Sequence, residues 1–138
     1  MSEQADAAAA LKGTSRIEAT ARVRSRWYMA YLWLFAVWQL VLVPAVLLWH
    51  GATGALVSAL ANALVVMGLS LFAVRQPVTP RGYGGLHIKV MVAWTAAYIL
   101  ALVLGYTVFM NGVAFAVVAA LVCALPAAAA AWREARAA

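Results

Sequence analysis

The sequence predicts an all-α integral membrane protein with four transmembrane helices arranged as two helical hairpins, both termini cytoplasmic. Three observations carry that reading. The 138 residues are 67% hydrophobic and only 10% charged, whereas a water-soluble domain runs nearer half apolar and a quarter charged. Between Trp27 and Val74, and again between Val90 and Trp132, there is no Asp, Glu, Lys or Arg. Each charge-free block is interrupted once by a turn signal, His50-Gly51 in the first and Asn111-Gly112 in the second. This composition excludes a soluble enzyme, a nucleic-acid binder and a disordered tail, and a net charge of +6 changes nothing, because its carriers all lie outside the apolar blocks.

The elements follow in chain order. Residues 1–26 form a basic cytoplasmic segment that is partly helical. Ser15-Arg16-Ile17-Glu18 has capping-box spacing, which starts a helix there and runs it into the first span. Glu18 and Arg22 support it as an i, i+4 pair, while residues 1–14 are expected to be mobile. No signal peptide is visible in these mostly polar residues, so the first span is expected to be kept as an anchor. The first hairpin, 27–74, holds spans 27–49 and 52–74. A cytoplasmic loop, 75–89, joins it to the second hairpin, 88–132, with spans 88–110 and 113–132, and residues 133–138 form a cytoplasmic tail. A helix of 23 residues rises ~34 Å, enough to cross a hydrocarbon core of ~30 Å.

Orientation comes from the ten basic residues: five lie in the N-terminal segment, three in the central loop, two in the C-terminal tail and none in the tight turns. Basic residues collect on the cytoplasmic side, so both termini and the central loop are expected inside. Heavy use of Ala, and of Arg over Lys, points to a GC-rich bacterium and hence to its plasma membrane. Trp27, Tyr28, Trp49, Phe109 and Trp132 fall at span ends, where amphipathic rings settle at headgroup level.

Rows of small residues are the strongest internal signal. Ala93, Ala97, Ala101 and Gly105 in the third span, and Gly112, Ala116, Ala120 and Ala124 in the fourth, are spaced four apart. Such rows are smooth strips along which backbones approach closely. Spans three and four are therefore expected to seal against each other, with a homo-oligomer contact as the sharper reading. Ala55, Ala59 and Ala63 make a weaker row in the second span.

Gln39 and Asn62 are the strongly polar side chains deep in the spans. Each lies twelve residues from the inner end of its helix, or ~18 Å up. They are expected to clasp each other at the midplane with Tyr98 in the same layer, or to contact a substrate. An aromatic face of Trp33, Trp38, Trp94 and Tyr106 either packs or offers ring faces to a lipophilic cation. On the cytoplasmic side, Arg22, Arg24, Arg26, Arg81, His87 and Lys89 are candidates for anionic headgroups or for a partner's acidic patch.

Exclusions narrow the function further. No span holds an ionisable group of the kind proton-coupled carriers need. The small multidrug resistance transporters share the plan and length, but they depend on a first-span glutamate, for which this chain has Phe, Ala and Gln. The single cysteine, Cys123, rules out an internal disulfide and a cysteine-paired metal site, and His50 and His87 are isolated. No catalytic residue, metal or cofactor is expected. What remains is a non-enzymatic accessory, assembly or regulatory subunit, acting as a homo-oligomer or on a larger membrane protein; the alternative is a small oligomeric channel or carrier with an aromatic and amide-lined midplane site.

Overall fold

Apolar runs that must satisfy their backbone polar groups without water do so within helices. In the computed structural model, which describes residues 2–77 and 82–137 (backbone alone at 2, 21–25 and 137), the chain is all-helical. Among the described residues five helices form: α1 (Ser2–Ser25), α2 (Trp27–Leu48), α3 (Ala52–Val74), α4 (Tyr83–Thr107) and α5 (Val113–Ala137). Four of them, α2 to α5, are long and apolar enough to cross a membrane.

Several boundaries differ from the sequence reading. The segment expected to be mobile over 1–14 is helical from Ser2, because Ala7 to Ala10 are a run of the residue type with the highest helix propensity. No helix starts at Ser15. Its Oγ donates to the carbonyl of Lys12 at 2.9 Å, so the helix runs through the supposed capping box. The Glu18–Arg22 pair lies outside the described residues, as do the side chain of Arg24 and the whole of Arg81. α4 starts five residues before the expected Ile88 and ends at Thr107, with Gly82 supplying a left-handed conformation (φ 72°) just ahead of it. α5 runs past Trp132, and Arg136 there sits over the Trp132 ring at 5.1 Å.

The turns and ring contacts define two ends. At the turn end, Trp49–Gly51 joins α2 to α3 and Val108–Gly112 joins α4 to α5, with His50 and Tyr106 in edge contact at 5.9 Å. Gly51 (φ 96°) and Asn111 (φ 60°) take the left-handed conformations these turns require. Gly54 has a separate reason: a Cβ there would run into the backbone carbonyl of Trp49. At the tail end, Tyr28 meets Tyr83 at 4.7 Å, and Tyr83 stacks on His87 at 5.3 Å. Trp27 and Tyr28 are buried in this knot of rings, whereas Trp49, Phe109 and Trp132 are exposed.

Packing follows the small-residue rows, with an unexpected partner. The most extensive helix contact is between α2 and α5, ahead of α4 with α5 and of α2 with α3. Large side chains of α2 lie on the alanine strip of α5: Leu32, Phe35 and Ala36 cluster with Ala124, Ala127 and Ala131 toward the tail end. Val43 and Leu47 cluster with Ala116, Ala119, Ala120 and Cys123 toward the turn end. The row on α5 thus serves the first span more than the third. On α4 the strip faces inward at Ala97, Ala101 and Gly105, while Ala93 is exposed. A Cβ on Gly105 would lie 2.5 Å from Leu47 Cδ2. α3 packs substantially against α2 alone. Within its most apolar stretch only 11% of residues are buried, against 44% for α2.

Candidate functional site

Because α3 leans on α2 and α4 chiefly on α5, without extensive packing between α3 and α4, a groove of about 540 Å³ opens between them. Leu42 and Val46 of α2 form its floor and Tyr98 and Tyr106 of α4 one wall. The α3 wall is Ala55, Ser58, Ala59, Asn62, Ala63, Val66 and Met67. Apart from Met67 these positions repeat at three and four residues, one helical stripe, so the weaker row of the sequence faces this unfilled groove. No Asp, Glu, Lys, Arg or His lines the groove.

Its polar groups are held in different ways. Asn62 Oδ1 accepts a hydrogen bond from Trp38 Nε1 at 3.1 Å, across α2 and α3. Tyr106 donates its hydroxyl at 2.7 Å to the carbonyl of Val46, one of the last carbonyls of α2, which the helix end leaves without an intrahelical partner. Tyr98 stacks on Trp94 at 5.3 Å. Ser58 is 5% exposed, and its Oγ has no hydrogen-bond partner. Elsewhere a helical hydroxyl bonds back one turn, as Ser70 does to Val66 and Thr107 to Val103. Ser58 does not.

The expected clasp is not formed. Gln39 is fully buried, but neither its Oε1 nor its Nε2 has a partner. It shares a helix face with Leu32, Phe35, Ala36 and Val43, the face clustered against α5. Trp38, one residue and ~100° earlier, reaches α3 in its place. Depth was read from residue counts; direction around the helix was not. Of the three midplane residues the structure brings Asn62 and Tyr98 together in the groove and leaves Gln39 in a sealed seam.

The aromatic face is likewise dispersed. Trp33 lines a separate apolar crease between α2 and α5, Trp38 serves Asn62, and Trp94 packs on Phe35 with its Nε1 buried and unpartnered. Tyr106 alone of the four lines the groove. At the tail end, His87 contacts Tyr28, Tyr31 and Tyr83, and its Nδ1 is buried without a partner. Arg26 and Lys89 are exposed. Among the described residues no three metal-ligating side chains come together. Sequence reasoning passed over Ser58, although its position four residues before Asn62 places both on one face. The chain matches no protein-family model, no curated protein and no solved structure.

Proposed function

We propose that the protein is a non-enzymatic accessory or assembly subunit of the bacterial plasma membrane, whose groove between α3 and α4 seats a transmembrane helix. In this reading α2–α3 and α4–α5 are two hairpins with both termini and the 75–89 loop in the cytoplasm, and exposed Arg26 and Lys89 contact anionic headgroups. One observation carries it: α3 packs on a single neighbour and leaves its small-residue stripe facing an unfilled groove. Lipid tails give helices no hydrophobic reason to associate, so close backbone approach and polar contacts supply the attraction. The groove offers both, with Ala55, Ala59 and Ala63 interleaved among Ser58 and Asn62.

Mild-detergent purification from native membranes, followed by mass determination, tests this. A larger assembly of fixed stoichiometry is expected, lost when Ala59→Leu and Ala63→Leu fill the groove. A monomer with lipid alone, in both proteins, overturns it.

A second reading, a small carrier or channel, draws on the hydroxyl and amide groups of Ser58, Asn62 and Tyr98, since small-molecule sites combine a few polar groups with such volumes. It predicts solute flux in liposomes that Asn62→Leu abolishes without unfolding the protein.

A further inference from the structure

We infer that the helix seated in the groove is α3 of a second copy of this chain, each copy placing its α3 in the groove of the other about a two-fold axis along the membrane normal. The inference rests on the reading of the groove as a helix seat and names its occupant.

Three features converge on this partner. The groove is neutral, so a helix bearing a charge would meet no counter-charge there; a partner of small and uncharged polar residues fits. α3 is such a helix, with Ala55, Ala59 and Ala63 beside Ser58 and Asn62 and no ionisable group between Ala52 and Val74. It is also the span left most exposed by the bundle. A two-fold contact must be self-complementary, the same patch meeting itself. Here the wall of the groove and the helix that needs a neighbour are the same element, so one exchange fills both grooves and covers both α3 helices.

The polar groups support the same geometry. Trp38 occupies one acceptor position on Asn62 Oδ1, while the Asn62 Nδ2 donors make no hydrogen bond among the described residues. A carboxamide oxygen has a second lone pair. Two Asn62 side chains facing each other across the axis can therefore exchange a reciprocal pair of Nδ2–H···Oδ1 bonds while each keeps its Trp38. Ser58, nine-tenths buried and unpartnered in the groove wall, lies one turn toward the turn end and gains a partner from the incoming helix. With every copy inserted in one sense, as the basic residues predict, the two α3 helices run parallel and each lies antiparallel to the partner's α4.

The test places a photoreactive benzophenone amino acid at position 67, where the exposed Met67 borders the groove without filling its alanine strip, in the full chain co-expressed in native membranes with two different tags. Illumination is expected to give an adduct of twice the 14.6 kDa chain mass carrying both tags. It should exceed by about ten-fold the yield from position 117, on the exposed face of α5. Ala63→Leu, which fills the strip, is expected to lower the dimer adduct by about ten-fold, and Asn62→Leu by about eight-fold, as for the loss of two average interhelical hydrogen bonds. An adduct at position 67 with a different protein overturns the second copy as occupant and leaves the helix seat standing. Adducts with lipid alone overturn both.

Discussion

The seam between α2 and α5 and the groove between α3 and α4 use the same ingredients to opposite effect. Each has a strip of alanines four apart and one amide near mid-depth. In the seam, leucines, valines and a phenylalanine of α2 fill the strip, and the amide of Gln39 is shut in with both polar atoms unpaired. In the groove nothing fills the strip, and the amide oxygen of Asn62 is paired. Small-residue spacing therefore says that something approaches closely, without saying which helix does so. A polar atom in a span likewise does not mark a site until its surroundings are known.

If the seam holds the bundle together and the groove does not, truncations should separate them sharply. Leu32→Ala, at a side chain with no exposure, is expected to cost about 2–5 kcal/mol. Leu64→Ala, on the exposed side of α3, should cost less than about 0.5 kcal/mol. Thermal unfolding in detergent, with the two variants side by side, measures the difference. Equal losses would break the contrast, because α3 would then be as tightly packed as α2.

The next effect lies where α4 meets α2 at the turn end. Gly105→Ala puts a methyl 2.5 Å from Leu47 Cδ2 and 3.3 Å from Phe115 Cε1, an overpacking expected to cost about 1–3 kcal/mol. Because the clash is with the Cδ2 of Leu47, Gly105→Ala should cost less in a Leu47→Ala background than in the unaltered protein. A double-mutant cycle gives the coupling; additive costs would show that the clash is relieved elsewhere.

How much of this was legible beforehand differs by level. The spans and both tight turns could be read because hydrocarbon demands long uncharged runs and Gly or Asn marks the left-handed positions between them. The spacing marks Ala116, Ala120 and Ala124 as a packing strip and points to the third span, which α5 does contact, though less than the first. Residue spacing fixes the face of a helix and carries no label for the helix opposite, so the α2–α5 contact stayed hidden. The groove itself was not foreseen, being the consequence of two helices failing to meet. Residue counts pair Gln39 with Asn62, whereas Trp38 takes the place of Gln39, because one residue along a helix turns the side chain by ~100°. The necessity of Gly54 depends on the path of Trp49 through the turn, and no local pattern announces it.

The two amides give the smallest effects and the sharpest test, because seam and groove predict opposite signs. Gln39→Leu keeps nearly the same volume and removes two buried atoms that no partner satisfies. Leaving such groups unmade costs about 1–3 kcal/mol, and replacing a buried polar side chain by an apolar one of like shape is neutral or favourable. The variant is therefore expected to be more stable by about 1 kcal/mol, with the dimer adduct unchanged. Asn62→Leu does the reverse. It deprives Trp38 Nε1 of its acceptor and should destabilise the bundle by roughly 0.6 kcal/mol, the usual worth of an interhelical hydrogen bond in a membrane protein. If Gln39→Leu were instead the destabilising change, the amide must find a partner in the folded protein. The seam would then be a polar contact like the groove, and the distinction between them would fall.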